Sequence, residues 1–168
     1  MKIRFLLPLL LILAGCGYRF LSGSLNLPPN VHKIAVPIFA NHTNEPDLEK
    51  VITKALIHRI QQQGELEVTS ESQADVILMG TVTDYSSHTA LAYDKEQRIK
   101  EYRLRLTAVA YLKDAKTGKL LGRAHRVPAK SEYPVSLDVG ITREAEKAAQ
   151  KVAADEWARD LLTLWEGF

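Results

Sequence analysis

Residues 102–112 alternate strictly between two sets of side chains. One set is apolar or aromatic throughout: Tyr102, Leu104, Leu106, Ala108, Ala110 and Leu112. The intervening set is Arg103, Arg105, Thr107, Val109 and Tyr111. Successive side chains of a β-strand point to opposite faces, so this alternation predicts a strand over residues 98–114 with one buried face. Such a strand is stable only within a sheet that is covered on its apolar side.

Two further segments predict neighbouring strands. The turn sequence at residues 116–119, Lys-Thr-Gly-Lys, predicts that residues 120–130 return antiparallel as a hairpin partner. Residues 75–86 include the apolar run Val-Ile-Leu-Met at 76–79, which is typical of a strand near the centre of a sheet. Residues 66–69 are a candidate for one more short strand.

Residues 31–39 also alternate, and the alternation predicts a strand with Ile34, Val36 and Ile38 on one face. Pro37 has no backbone N–H to donate to a neighbouring strand. We therefore expect this strand to lie at an edge of the sheet, or to turn Pro37 outward.

Two segments have helical spacing. The first runs from Leu48 to Ile60 and stops before Gly64, and the second covers residues 141–165 with a continuous apolar stripe. The element order is therefore β-α-β-β-β-α. It predicts an α+β fold in which two helices pack on one face of a four-stranded mixed sheet, formed as a single domain by residues 31–168.

The first sixteen residues predict export and lipidation. Lys2 and Arg4 precede an apolar stretch that is too short to span a bilayer and that ends in Leu-Ala-Gly-Cys at residues 13–16. This ending resembles the bacterial lipobox. The resemblance implies that residues 1–15 are a signal peptide cut after Gly15. It also implies that Cys16 carries a diacylglycerol and an acyl chain, with residues 16–30 as a lipidated tether.

The charge balance and the residue after the cysteine narrow the destination. The chain has 22 basic and 20 acidic residues, and removal of Lys2 and Arg4 with the leader leaves 20 of each. A neutral mature chain argues against nucleic-acid binding, which usually needs a basic excess. Gly17, rather than aspartate, follows Cys16, which resembles an outer-membrane sorting signal.

Nothing in the sequence predicts catalysis. The five histidines show no metal-ligand spacing, and the single cysteine is expected to be acylated. Residues 114–119 lack the first glycine of a phosphate loop and are better explained as a hairpin turn. We therefore expect no enzyme activity, no metal and no cofactor beyond the covalent lipid.

A basic cluster is the second feature with functional content. Its members lie around the predicted hairpin: Lys95, Arg98, Lys100, Arg103, Arg105, Arg123 and Arg126. If the returning strand brings Arg123 and His125 beside Arg103 and Arg105, the cluster would suit phosphates or carboxylates. The alternative is an ordinary solvated sheet face that also carries Glu96 and Glu101.

Several segments together resemble the lipopolysaccharide-assembly lipoprotein family, LptE. They are the lipobox, Gly-Tyr-Arg-Phe at 17–20, Leu-Pro at 27–28, Ile-Ala-Val-Pro-Ile-Phe-Ala-Asn at 34–41, Leu-Glu at 48–49, Thr-Lys-Ala-Leu at 53–56, Ala-Asp-Val-Ile-Leu-Met-Gly at 74–80 and Arg-Glu-Ala at 143–145. The resemblance extends over nearly the whole mature chain, and it is carried by the order and spacing of the segments.

The resemblance implies a fold of a mixed sheet with two helices. It also implies an outer-membrane lipoprotein, lipid-anchored on the periplasmic side or within a barrel lumen. Such a protein plugs the β-barrel LptD, helps its assembly and binds lipopolysaccharide, with the phosphates near residues 95–105. Residues 34–80 also resemble domains of curli-secretion and cell-wall-synthase-activating lipoproteins. A periplasmic scaffold or regulator that binds a protein partner is therefore the alternative.

Overall fold

The computed structural model describes residues 27–28 and 30–166. The elements in chain order are β1 (Lys33–Ala35), β2 (Ala40–Asn41), α1 (Leu48–Gln63), β3 (Glu67–Val68), β4 (Val76–Tyr93), β5 (Ile99–Asp114), β6 (Leu120–Pro134) and α2 (Val139–Glu166). A short 3-10 turn, Glu71–Gln73, lies between β3 and β4. The signal peptide, the cleavage site at Gly15, the lipidation site at Cys16 and most of the tether lie outside the described residues.

The sheet is mixed, as predicted. Its strand order is β3-β1-β4-β5-β6, and β2 pairs beside β4. β1 runs parallel to β3 and β4, and β2 runs parallel to β4, whereas β4, β5 and β6 form an antiparallel meander. The central position predicted for residues 76–79 is confirmed, because β4 lies between β1 and β5.

The prediction of four strands is wrong, because the described residues form a six-stranded sheet. The additional strands, β2 and β3, have two residues each. The candidate strand at residues 66–69 is confirmed as β3, whereas β2 is too short for an alternation to be visible in a sequence. Backbone hydrogen bonds to segments far along the chain define them. The N–H of His42 donates to the carbonyl of Val82 at 3.0 Å, and that of Glu67 to the carbonyl of His32 at 2.9 Å.

The first predicted strand is also shorter than expected. β1 ends at Ala35, and Ile38 is exposed rather than sharing a buried face with Ile34. The chain leaves the ladder before Pro37, which has no N–H to donate, and rejoins the sheet as β2. This detour turns Phe39 into the core, where its ring meets Trp157 edge-on at 5.6 Å.

Both helices pack against the apolar face of the long strands. The alternation that predicts β5 is confirmed, because the side chains from Leu104 to Leu112 at even positions are buried. They form one core with residues of α1 and α2. Trp157 of α2 lies at its centre, fully buried, with its indole N–H 3.4 Å from the carbonyl oxygen of Ala108. The opposite side of β5 is the outer face of the sheet.

No helix within the described part of the chain combines the length and the apolar character needed to cross a bilayer.

Candidate functional site

The β5–β6 register decides which basic residues meet on the outer face. Arg103 lies opposite Glu132, and Arg105 lies opposite Lys130. The expectation that Arg123 and His125 would lie beside Arg103 and Arg105 is therefore wrong. Arg123 and His125 lie much closer to the β5–β6 turn. They are about seven positions along β6 from Lys130 and Glu132, which corresponds to roughly 23 Å at the usual rise per residue.

A bulge in β6 sets this register. Leu112 pairs with Leu121, but Ala110 pairs with His125, so β6 accommodates two extra residues around Gly122. Gly122 has a φ of 79°, which glycine adopts without strain. The bulge shifts every cross-strand pair beyond it by two residues of β6. The partner of Arg105 therefore cannot be found by counting residues back from the β5–β6 turn.

Acidic neighbours engage three of the predicted basic residues. The guanidinium of Arg103 lies 2.7 Å from the carboxylate of Glu132 across the strands. Arg126 reaches Asp84 on β4 at 2.6 Å. Arg98, in the β4–β5 turn, contacts Asp94 at 2.8 Å and a second carboxylate, that of Glu96, at 3.1 Å. For these three arginines, the alternative interpretation of a solvated face with charges of both signs fits the structure.

Arg105 and Lys130 differ from these residues. Both are exposed on the outer face, directly opposite each other on adjacent strands. Within the described part of the chain, neither side chain forms an ion pair or a hydrogen bond with another group. Like charges directly opposite in a sheet are destabilising, so this pair is a local excess of positive charge that an anion would relieve. Sequence analysis missed Lys130, because only the bulged register brings it to Arg105.

The remaining predicted residues lie elsewhere. Lys95 is in the β4–β5 turn, and Lys100 lies on β5 with its side chain on the face that the helices cover. Arg123 lies at the bulge, beside Leu27 and Trp165. The predicted cluster is thus divided among the outer face, the hairpin turn and the opposite end of the sheet.

His125 is an inward-facing residue rather than part of a surface cluster. Its side chain is 7% exposed, and its ring meets Trp165 edge-on at 6.3 Å. Burial, with a smaller contribution from the nearby charge of Arg123, holds the pKa of His125 below its ordinary value.

A family model described as "LptE: Lipopolysaccharide-assembly" matches residues 31–164, most of the chain. The chain belongs to the LptE family. The resemblance found in the sequence is thereby confirmed for the folded part. The match begins after the leader and the tether, so it does not depend on the lipobox.

Solved structures show that the LptE fold of this chain recurs in other bacterial proteins. A candidate lipoprotein from Caulobacter crescentus has a TM-score of 0.57 at 18% identity, over 79% of this chain and 87% of that one. A hypothetical protein from Chlamydia trachomatis has a TM-score of 0.57 at 7% identity, over 82% and 97%. The PelC dodecamer from Paraburkholderia phytofirmans has a TM-score of 0.53 at 15% identity, over 82% and 90%. No curated protein matches the chain. At these identities the likeness is one of fold alone.

The LptE-family chain also has a partly buried polar cluster that sequence analysis missed. The hydroxyl of Tyr85 on β4 donates to the carboxylate of Glu146 at 2.9 Å. The side-chain amide of Gln150 donates to the Tyr85 oxygen at 2.9 Å and to the carboxylate of Glu45 at 2.8 Å. Burial raises the pKa of Tyr85 far above its ordinary value, so this hydroxyl stays protonated.

These four groups satisfy one another, and a cleft of about 860 Å³ opens beside them. The arrangement joins β4 to α2 and to the loop before α1, which is a structural role. Within residues 27–28 and 30–166, no three side chains of the metal-ligating types converge as a metal site would require.

Proposed function

We propose that this LptE-family chain is an outer-membrane lipoprotein that plugs the LptD barrel and helps its assembly. We further propose that it binds lipopolysaccharide on its way to the cell surface. Membership of the LptE family and the lipobox ending at Cys16 support the first part. The role is one of binding and assembly, without catalysis.

The observation that carries the binding part is the pair of unneutralised cations, Arg105 and Lys130, on the outer face. Lipopolysaccharide presents phosphate groups, and both residues donate charge-assisted hydrogen bonds to phosphate oxygens. Ion pairs hold Arg103 and Arg126 on either side, so the pair lies on an ordered surface. A bound phosphate would remove the repulsion between the two cations, and it would compete with the divalent ions that bridge lipopolysaccharide molecules.

The same face suits a plug. Residues that point into an outer-membrane barrel are polar, so a body seated there needs a polar exterior. Toward the β4–β5 turn, the outer face consists largely of charged and hydroxyl side chains: Asp84, Ser86, Thr89, Arg103, Arg105, Thr107, Arg126, Lys130 and Glu132. Toward the β5–β6 turn, the same face carries Met79, Val109 and Tyr111. Ion pairs and the cross-strand register hold this surface in one arrangement.

Reversal of the two charges tests the binding proposal. The double variant Arg105→Glu/Lys130→Glu is expected to lower the affinity for lipopolysaccharide at low salt by roughly tenfold or more, since it replaces two charge-assisted contacts with repulsion. The matched control is Lys54→Glu/Lys151→Glu on the helices, where both lysines are exposed and the change of net charge is the same. The wild-type affinity should also fall as salt rises. Equal affinities for the two double variants would overturn the proposed site.

Co-purification tests the partner. The lipidated chain extracted from membranes is expected to bring the large LptD barrel with it. Recovery of a cell-wall synthase or a secretion ring instead would favour the scaffold alternative and contradict the plug.

A further inference from the structure

The β5–β6 turn concentrates positive charge at one end of the sheet. Residues 113–119 contain Lys113, Lys116 and Lys119 but a single acidic residue, Asp114. Lys116 and Lys119 are exposed, and Lys113 is half-buried. Among the ion pairs of the described residues, none involves these three lysines. We call Lys113, Lys116 and Lys119 the basic turn.

The one acidic side chain of this segment is engaged by the backbone of the turn itself. The carboxylate of Asp114 accepts the N–H of Lys116 at 3.0 Å and that of Thr117 at 2.6 Å. The N–H of Gly118 donates to the carbonyl oxygen of Asp114 at 2.9 Å. These bonds hold the turn in one conformation, and they direct the carboxylate toward backbone donors rather than toward the ammonium groups.

An exposed apolar side chain follows the basic turn directly. Leu120 is 63% exposed and lies opposite Lys113 across the hairpin. A single exposed leucine is common on protein surfaces. A leucine among several lysines, however, suits the boundary between lipid headgroups and acyl chains, where apolar groups enter the bilayer and cations remain at the phosphates.

The described chain begins at this same end of the sheet. Leu27 borders a cavity together with Leu112, Leu121 and Gly122, beside the β5–β6 turn. Leu27 is eleven residues after Cys16. Because an extended chain spans at most about 3.6 Å per residue, a lipid on Cys16 would keep this end within roughly 40 Å of the bilayer. The β4–β5 turn is about 50 Å away, at the other end of the 16-residue strand β5.

We propose that the basic turn and Leu120 form a contact site for anionic phospholipid on the membrane that holds the lipid anchor. The inference rests on the anchor of the proposed function, and it adds the orientation of the folded domain relative to the bilayer. The ammonium groups meet lipid phosphates while Leu120 enters the boundary region. Because the anchor makes this contact intramolecular in effect, a weak interaction is enough to orient the domain.

Fluorescence quenching by brominated phospholipid tests the contact with the full lipidated chain in vesicles. The chain has one cysteine, which the proposed processing acylates, so an introduced cysteine provides a single labelling site. The fluorophore is attached at Leu120→Cys or, as the control at the opposite end of the sheet, at Tyr93→Cys, and both positions are exposed. One set of vesicles contains phosphatidylcholine alone, and the other contains phosphatidylglycerol as well.

The expected result is quenching of the label at position 120 in the vesicles that contain phosphatidylglycerol. Quenching should be weaker in phosphatidylcholine and should decrease as salt rises, whereas the label at position 93 should stay unquenched. Equal quenching at position 120 in both kinds of vesicle, or none in either, overturns the inference. If that label is instead shielded only when the co-purified barrel is present, the turn is a protein contact and the inference is again wrong.

Charge reversal provides a second measurement. The variant Lys116→Glu/Lys119→Glu should lower the ratio of contacting to free turn by roughly tenfold or more, since each lysine near an anionic surface contributes about a factor of five. The matched control, Lys54→Glu/Lys151→Glu, changes the net charge equally at exposed helix positions and should leave quenching unchanged. Equal quenching in the two double variants would reject the basic turn as the contact.

Flotation of the same vesicles separates failure of this inference from failure of the anchor. A wild-type chain that floats with the vesicles but shows no quenching at position 120 overturns the inference and leaves the proposed function standing. A wild-type chain that does not float contradicts the anchor and the inference together.

Discussion

Gly80 on β4 lies directly beneath the ring of Phe39. A Cβ at this position would lie 2.1 Å from the Phe39 ring, closer than any real contact. The ring cannot swing away freely, because it is buried and packs edge-on against Trp157. Glycine is required here for close approach of the backbone rather than for an unusual φ.

The variant Gly80→Ala should therefore destabilise the fold by about 1–3 kcal/mol through overpacking. Denaturant unfolding of the purified chain measures the change. In a Phe39→Ala background the same substitution should cost much less, because the obstructing ring is absent. An equal cost in both backgrounds would show that Phe39 is not the reason for glycine at this position.

The side chain of Asp75, just before β4, holds the start of β1 by hydrogen bonds whose strength depends on pH. Its carboxylate accepts the N–H groups of His32 and Lys33, each at 3.0 Å, and these bonds hold the pKa of Asp75 below its ordinary value of 3.8. Because the pKa of Asp75 is lower in the folded state than in the unfolded state, its ionised carboxylate stabilises the fold at pH values above 3.8. This stabilisation is lost as the pH falls through the folded-state pKa. The wild type should exceed Asp75→Asn in melting temperature near neutral pH. This gap should narrow below pH 3.8, and a gap independent of pH would contradict the account.

At the level of elements, the Tyr85 cluster joins α2 to the sheet. Tyr85 accepts from Gln150 and donates to Glu146, and Gln150 is buried. Tyr85→Phe removes both bonds and should lower the free energy of unfolding by about 1–3 kcal/mol, since Gln150 keeps only its bond to Glu45 and Glu146 loses its hydroxyl donor. Tyr93→Phe, at an exposed hydroxyl, is the control and should be neutral. Thermal unfolding of both variants measures the difference. Equal melting temperatures for Tyr85→Phe and Tyr93→Phe would show that the Tyr85 hydrogen bonds do not stabilise the fold.

At the level of the molecule, the described chain begins at the end of the sheet that carries the β5–β6 turn. Leu27 borders a cavity of about 510 Å³ with Leu112, Leu121 and Trp165 beside this turn. Lys95 and Arg98 lie in the β4–β5 turn, at the opposite end of β5.

The lipid anchor is a prediction at this same scale. Cys16→Ser should leave the signal peptide uncut and remove the acyl mass, because the thiol is the site of lipid attachment in the proposed processing. Mass spectrometry of the N-terminal peptide of the membrane-extracted chain measures both. A bare, unmodified N-terminus in the wild type would contradict the anchor.

The sequence predicts the long elements because each carries many repeats of its own period, although β4 and β6 extend beyond the predicted residues 75–86 and 120–130, to Tyr93 and Pro134. The alternation around Leu104 and Leu106 locates β5 and its buried face, and the apolar stripe locates α2 to within two residues at each end. β2 could not be predicted in this way, because it has two residues and its pairing with β4 depends on a segment distant in the chain. Residues 66–69 indicate β3 only as a candidate, because its pairing with β1 also depends on a distant segment. The sequence predicts one of the two residues of the proposed site, Arg105, but not Lys130.

What the sequence alone determined, then, is the class of fold, the order of the long strands and helices, the family and the candidate anchor. These properties depend on local periodicity or on short contiguous motifs. Only the tertiary structure decided which charges remain without a partner. The bulge at Gly122 sets which residue faces Arg105, and cross-strand contacts neutralise Arg103 and Arg126. Charge pairing across a sheet depends on register, and register is a property of two strands rather than of either one.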